Sequence, residues 1–186
     1  SGATGTQIGR INGNSAAERL GDVVDLFTFG SNDFLIRSRF NDAGGNVDAG
    51  TVILAADVDL GGGNFERGRV SGGSANEQLG SSFPTLLFPS QDYVIRSSSA
   101  DIGGNVDAGT VILADRTTGT AKGRVDGISA NEFLGSSSIT VRASGNYVIR
   151  STSADPGGIA DAGSVILASA TTGNAIGRVD GDTASE

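Results

Sequence analysis

Cysteine and histidine are both absent from the 186 residues of this chain. Without cysteine there is no disulfide framework and no thiolate for metal or redox chemistry. Without histidine the chain lacks the commonest general base and the commonest ligand of transition metals. These two absences exclude the enzymes and metalloproteins that depend on either residue.

Concentrated positive charge and long apolar runs are missing as well. Asp and Glu number 21 against 13 Lys and Arg, which gives a net charge of −8, and the basic residues are spread singly along the sequence. Nucleic acid or an anionic membrane would need a concentrated basic face, so neither is expected as a partner. No apolar run approaches the roughly 18 residues that a membrane span requires.

The remaining composition is acidic and rich in Gly, Ser, Thr and Asn, with 30 glycines. Such a composition is typical of secreted bacterial proteins, so an extracellular or cell-surface location is predicted. No signal peptide is recognisable, and because the chain opens in mid-repeat, an upstream segment is expected to be missing or removed. The length is sufficient for one ordinary domain with a hydrophobic core.

Internal repetition is the strongest positive signal. The motif Gly-Arg-(Val/Ile) begins at Gly9, Gly68, Gly123 and Gly177. We therefore predict one repeat domain over 1–186. Its repeats are 9–67, 68–122 and 123–176, followed by a partial repeat at 177–186.

Each repeat predicts about four short β-strands. In the third repeat, "GRV", "SSITVRA" (137–143), "YVIRS" (147–151) and "GSVILAS" (163–169) are rich in β-branched residues and bounded by turn residues. Four strands in about 55 residues are what one β-propeller blade needs. The predicted fold is all-β, with tandem repeats that are each a four-stranded antiparallel propeller-type blade. A parallel solenoid or tandem β-sandwiches fit less well, because their units are about 20–30 and nearer 100 residues long.

The segment "LGSSSITVRASGNYVIRSTSADPGGIADAGSVILASATTG" resembles the FG-GAP repeat of integrin-α-type β-propellers, as found in large secreted bacterial exoproteins and adhesins. Leu-Gly, two apolar strands, a variable loop and a Thr-Gly turn follow in the same order. The resemblance implies propeller blades and adhesion. The Asp-rich calcium loop of FG-GAP blades is not reproduced, because "RASGN" (142–146), "FPSQD" (88–92) and "FGSND" (29–33) each hold at most one acid.

Pairs of aspartates six residues apart recur in the loop that contains "DAG". A shared calcium ion is one interpretation, with Asn46 or Asn105 completing the oxygen shell. The structural alternative is that the first Asp caps a turn and the second binds backbone amides at the start of a strand. The pairs are Asp42 with Asp48, Asp101 with Asp107, and Asp155 with Asp161.

The segment "DVDLGGGN" (57–64) is an insertion that only the first repeat contains. Asp57, Asp59 and Asn64 offer several oxygen ligands, so a calcium-stabilised loop is one hypothesis and a longer solvated turn is the other. No cofactor is required in either case. Insertions in repeat proteins often lie on the binding face.

Two charged residues recur in each repeat, and a structural role is expected for both. We predict an ion pair between neighbouring blades, or an arginine stacked on a neighbouring ring; a ring of arginines that binds anions is the functional alternative. The glutamates are Glu18, Glu77 and Glu132, and the arginines are Arg37, Arg96 and Arg150.

No catalytic constellation is found. Serine has no histidine to activate it, and no Gly-rich segment ends in the Gly-Lys-Ser/Thr of a phosphate-binding loop. The hypothesis is a non-enzymatic, extracellular adhesion-type scaffold that binds a protein or glycan. The divergent segments 57–64 and 81–91 would form its binding face.

The number of repeats suggests the second hypothesis. Propellers close with about four to eight blades, so three units cannot complete a ring alone. An extracellular structural subunit would self-assemble through its open repeat ends into a ring or a filament. The predicted partners are thus further copies of the chain or further repeats of the same protein, and no membrane insertion is expected.

Overall fold

The computed structural model describes residues 10–14, 17–26, 33–57 and 60–184. Within them the chain forms three four-stranded antiparallel β-sheets, each with its strands in chain order. Helix in these described ranges is limited to two short 3-10 turns, Ala43–Gly45 and Pro156–Gly158. The prediction of an all-β protein with four-stranded antiparallel units is confirmed.

The strands occupy corresponding positions in the three sheets. The first sheet contains β1 (Val23–Leu26), β2 (Phe34–Ser38), β3 (Thr51–Ala55) and β4 (Glu66–Ser71). The second contains β5 (Thr85–Leu86), β6 (Tyr93–Ser97), β7 (Thr110–Ala114) and β8 (Ala121–Asp126). The third contains β9 (Thr140–Val141), β10 (Tyr147–Ser151), β11 (Ser164–Ala168) and β12 (Ala175–Asp180).

The Gly-Arg motif lies in the last strand of each sheet, namely β4, β8 and β12. A repeat frame that starts at Gly-Arg therefore cuts each sheet within its fourth strand, two residues after that strand begins. The first copy of the motif stands apart from these sheets: the Arg10 backbone N–H donates to the Gly63 carbonyl at 3.1 Å, and Arg10 forms an isolated parallel bridge with Asn64.

Each sheet has two distinct ends. Turns between the first and second strands, and between the third and fourth, lie at what we call the hairpin end. The long loop between the second and third strands and the connection to the next sheet lie at the loop end. A Cβ atom at Gly68 would overlap the Thr118 carbonyl in the turn of the next sheet, and one at Gly123 would overlap the Thr172 carbonyl. This close approach is the physical reason for glycine in the Gly-Arg motif.

Neighbouring sheets pack face to face. Leu35, Leu54 and Val70 of the first sheet contact a cluster that includes Tyr93 and Ile95 of the second. The opposite face of the second sheet, with Val94, Val111, Leu113 and Val125, packs in the same way on Tyr147, Ile149 and Ile166 of the third. Because a fully buried Leu or Ile stabilises a fold by about 1.5–3 kcal/mol, these two interfaces hold the stack together.

The outer faces of the stack differ. On the first sheet, Ile36 and Ile53 are buried, and Ile11 and Leu20 pack against them. On the third sheet, Val165 is 48% exposed and Val179 is 72% exposed. Neither of the 3-10 turns in the described ranges could cross a membrane, since both are far too short.

Candidate binding site and contacts between repeats

A polar cavity of about 580 Å³ lies beside the long hairpin of the first repeat. Its floor is formed by the β3–β4 turn, where Gly62, Gly63 and Asn64 pass next to the segment 10–14. The extended segment is held there by the Arg10 bridge to Asn64. The lining residues are Arg10, Ile11, Asn12, Gly13, Asn14, Gly62, Gly63, Asn64, Glu66 and Arg69.

Arg69 is the most strongly bound charge in this cavity. Its guanidinium donates to Glu66 Oε2 at 2.6 Å, Glu18 Oε1 at 2.8 Å and Asn14 Oδ1 at 2.7 Å. The hydrogen bonding of Arg69 to Glu66 is the largest cause that raises the pKa of Arg69, so the side chain stays charged. Arg69 therefore fixes the positions of Glu66 and Asn14 on one wall of the cavity.

The same hairpin is short in the other two repeats. In the second repeat the Asp115 carboxylate accepts the backbone N–H groups of Thr117 and Thr118 at 2.7 and 2.9 Å. Burial opposes ionisation of Asp115, but these backbone hydrogen bonds and Lys122 lower its pKa overall. In the third repeat Ser169 Oγ takes the place of this carboxylate. Among the corresponding hairpins of the three described sheets, the one in the first repeat is the longest, and it lines the cavity.

The three residues proposed as calcium ligands in this loop are only partly described. Asp57 is exposed, Asn64 Oδ1 accepts the backbone N–H of Glu66 at 3.0 Å, and Asp59 lies outside the described residues. Across the described ranges, no three acidic side chains converge in a way that could hold a metal ion. Calcium binding at 57–64 stays a prediction.

The recurrent aspartate pairs form capping contacts. In each loop the first carboxylate accepts the backbone N–H of the second Asp, and the second Asp has a positive φ of 51–52°. The Asn proposed for the cation shell donates instead toward the next connection, Asn46 to Gly73 O and Asn105 to Ile128 O, both at 3.2 Å. The capping pairs are Asp42 with Asp48, Asp101 with Asp107, and Asp155 with Asp161.

Each recurrent glutamate is buried and forms its ion pair with the arginine of a Gly-Arg motif. Glu77 and Glu132 are fully buried, and Glu18 is nearly so. The expected partners of these glutamates, Arg37, Arg96 and Arg150, are therefore replaced in this role by arginines of the last strands. The pairs are Glu18 with Arg69 at 2.8 Å, Glu77 with Arg124 at 3.1 Å, and Glu132 with Arg178 at 2.8 Å.

The environment of these ion pairs satisfies both charges. The Glu77 carboxylate also accepts the backbone N–H groups of Gly73 and Ser74. Burial lowers the pKa of Arg124, but the charges of Glu77 and Asp126 outweigh burial and raise it. The sequence did not identify Arg69, Arg124 and Arg178 as the partners of these glutamates. The recurrence of a Gly-Arg motif about 50 residues after each glutamate was the pattern that could have indicated them.

Arg37 and Arg96 connect each sheet to the following repeat through backbone carbonyls. Arg37 donates to Gly80 O at 2.6 Å, and Arg96 donates to Gly135 O at 2.9 Å. The guanidinium of Arg37 also lies 6.0 Å from the ring centroid of Phe83, the limit of a cation–π contact. Arg150, the corresponding residue of the third sheet, is exposed.

The divergent segment 81–91 does not lie on one face. Phe83 lies at the loop end before β5, whereas Phe88 lies in the β5–β6 turn at the hairpin end. Both rings are exposed, and Leu87 between them is buried. Only the second half of the segment shares the hairpin end with the insertion of the first repeat.

Comparison with known proteins gives a family and no function. A family described as "Repeat of unknown function (DUF5650)" matches residues 88–138 and 141–182, together half of the chain. Among curated proteins no match was found. The matched residues contain β6, β7 and β8 of the second sheet and nearly all of the third, with the Glu132–Arg178 ion pair and the capped loops that follow β6 and β10. The chain belongs to this family of repeats of unknown function (DUF5650).

Proposed function

We propose that this protein is a non-enzymatic, extracellular scaffold of the adhesion type, whose three sheets are β-propeller-type blades. The polar cavity of the first repeat is its binding site, and the ligand is a glycan. Support for blades comes from three four-stranded meanders packed face to face, the arrangement that propellers use. The chemistry of the ligand follows from the lining of the cavity.

The observation that carries the proposal is the divergence of the first repeat. The β7–β8 and β11–β12 hairpins are tight turns, whereas the corresponding β3–β4 hairpin of the first repeat is a long glycine-rich loop. A longer loop at one place in an otherwise regular stack costs conformational entropy. We attribute its presence to the cavity that it forms with the segment 10–14.

The lining of the cavity suits a ligand with many hydroxyl groups. Amide side chains at Asn12, Asn14 and Asn64 can donate and accept at the same time. Glu66 adds a carboxylate acceptor, which Arg69 holds in place. Hydroxyl groups of a sugar are both donors and acceptors, so they match such a lining better than an apolar or a purely anionic ligand would. A net charge of −8 also disfavours polyanions.

The test is a glycan array probed with the whole chain, followed by calorimetric titration of the glycans that bind. A loop-exchange variant, with residues 56–65 replaced by a copy of 115–120, removes the insertion but keeps a turn known to fit this fold. We expect at least a tenfold loss of affinity, because one wall of the cavity disappears.

The matched control exchanges residues 169–174 for the same copy of 115–120, which changes a hairpin far from the cavity and keeps its length. Glycan binding should be unchanged in this control. Equal binding by both variants, or no glycan bound by the natural chain, would overturn the proposal. Growth of the scattering mass with protein concentration would support the competing hypothesis of a self-assembling structural subunit.

A further inference from the structure

The outer face of the third sheet contains a concave site whose counterparts on the other two sheets are filled. The site has a volume of about 290 Å³ and is lined by Arg150, Gly163, Val165, Val179, Asp180 and neighbouring residues. We call it the end socket. What fills its counterparts is visible twice within the same chain.

On the first sheet, the corresponding place is occupied by the turn Leu79-Gly80 of the next repeat. The Leu79 backbone N–H donates to Ala49 O at 2.9 Å, and Leu79 forms a parallel bridge with Gly50. The Leu79 side chain is fully buried. Arg37 then closes over this turn with its 2.6 Å hydrogen bond to Gly80 O.

On the second sheet the same contacts recur with the turn Leu134-Gly135. The Leu134 backbone N–H donates to Ala108 O at 3.0 Å, Leu134 bridges to Gly109, and Arg96 donates to Gly135 O at 2.9 Å. The Leu134 side chain is also fully buried. Two independent copies therefore show one mode of docking.

The fit between turn and sheet is tight and specific for glycine. A Cβ atom added to Gly80 would lie 2.7 Å from Val52 Cγ2, and one added to Gly135 would lie 2.9 Å from Val111 Cγ2. Both glycines also have positive φ angles, of 85° and 82°. The valine on the sheet and the glycine in the turn are thus complementary in shape.

The third sheet has every sheet-side group of this docking mode. Arg150 corresponds to Arg37 and Arg96, Gly163 to Gly50 and Gly109, and Val165 to Val52 and Val111. Val52 and Val111 are fully buried, whereas Val165 is 48% exposed. The sheet-side contacts are present, and among the described residues no Leu-Gly turn covers them.

We infer that the end socket binds the Leu-Gly turn and the inner apolar face of a further repeat of this family, continuing the stack in the same direction. The tyrosine and isoleucines of that repeat would cover Val148, Val165, Leu167 and Val179, as Tyr147, Ile149 and Ile166 cover the second sheet. This inference rests on the interfaces between repeats and does not depend on the glycan site proposed above.

A second whole copy of the chain fits less well than a further repeat. Ile11 packs against the outer face of the first sheet, where it corresponds to Val70 and Val179 in the repeat. A second copy that docked through its first sheet would bring Ile11 to the position that Val179 already occupies. One of the two segments would have to leave, whereas a further repeat that starts after its Gly-Arg strand brings no such duplicate.

The experiment extends the chain by one repeat. Residues 1–181 are followed directly by a second copy of 128–181, so that Gly181 stands where Gly127 stands in the natural junction. Amide hydrogen exchange is measured by mass spectrometry in peptides that cover 147–151 and 164–168, in the natural and the extended chain. We expect exchange in these peptides to slow about tenfold or more on extension, because opening of the third sheet then requires loss of a second interface.

Two substitutions make the result specific. Val165→Arg places a long side chain where the turn must approach, so it should abolish the added protection in the extended chain. Ile176→Arg is the matched control: it lies on β12 outside the socket, and Arg67 occupies the corresponding position of the first sheet. This control should leave the added protection intact.

Three results would overturn the inference. The appended repeat could fold, with its own strands protected, while exchange at 164–168 stays unchanged. It could fail to fold at all, which would show that the end socket does not support a repeat. Finally, the natural chain could show the same protection at high protein concentration together with a doubled mass, which would identify a second copy as the occupant.

Discussion

The strands β7 and β11 differ in one residue, "TVILA" against "SVILA", yet they are buried very differently. All five residues of β7 are buried, whereas Val165 and Leu167 in β11 are not. Each strand makes the same antiparallel pairs with its two neighbours. The difference therefore comes from how the sheets stack. The second sheet is covered by a neighbouring sheet on each of its faces, whereas the third sheet is covered on its inner face alone among the described residues.

The largest expected effect comes from placing a charge at the corresponding valines, Val111 of β7 and Val165 of β11. Val111→Asp would bury a carboxylate without a partner and should destabilise the protein by about 4 kcal/mol or more. Val165→Asp should cost about 1 kcal/mol or less, because water reaches this side chain. Chemical denaturation of both variants measures the difference. Equal losses would show that the outer face of the third sheet is covered in solution.

The buried glutamates test whether the third sheet is joined to the second as firmly as the second is joined to the first. Glu77→Ala and Glu132→Ala each remove a buried carboxylate from a half-buried arginine, which then keeps only its aspartate partner, and leave several backbone N–H groups without their acceptor. Each should lose about 3 kcal/mol, since one member of a buried pair is removed. Denaturation midpoints of the two variants should agree, and a much smaller loss for Glu132 would mean that the third sheet is poorly joined to the second.

The recurrent arginines give a smaller contrast. Arg96→Ala removes hydrogen bonds to Gly135 O and Ser137 O and should cost about 1.5 kcal/mol. Arg150→Ala should change stability by less than about 0.5 kcal/mol, because Arg150 is exposed. Thermal unfolding of both variants at one pH provides the comparison. A loss for Arg150→Ala as large as that for Arg96→Ala would contradict it.

The smallest expected effect concerns the hairpin end, where Lys122 pairs with Asp92 at 2.8 Å but the corresponding residues of the third repeat are Ile176 and Asn146. The hydrogen bond with Asp92 raises the pKa of Lys122. A raised pKa in the folded state gives stability that is present below the unfolded pKa and is lost as the pH rises through the folded value.

The double variant Asp92→Asn/Lys122→Ile imports the pair of the third repeat and should cost about 0.5 kcal/mol near neutral pH. Its stability should also fall less than that of the natural chain above pH about 10. Denaturation at pH 7 and at pH 11 checks both statements. A parallel decline of the two proteins at high pH would contradict the assignment to Lys122.

Local features of the fold were predictable from the sequence, because they depend on short-range chemistry. Alternating β-branched residues between Gly, Asn and Asp turns locate the second and third strands of each sheet, and the aspartate caps follow from the same turn residues. The partners of the buried glutamates were not predictable in this way. Glu77 and Arg124 are 47 residues apart, and nothing in either local segment indicates which face of which sheet brings them together.

The polar cavity was predicted only in part. The insertion at 57–64 was visible as a length difference, and its place at the hairpin end follows from the meander. The contribution of Asn12 and Asn14 was not visible, because it depends on an isolated parallel bridge between Arg10 and Asn64 that no periodicity indicates.

The connection between two sheets binds in both directions: Leu79 N–H donates to the sheet before it, while Glu77 O accepts from Ser97 of the sheet after it. Such an interface is directional, because the face that each sheet presents to the preceding sheet differs from the face that it presents to the following sheet. Duplicating or deleting one whole repeat leaves these two kinds of surface matched, whereas a change of half a repeat does not. The length of the protein can therefore vary by whole repeats in evolution without the invention of any new interface.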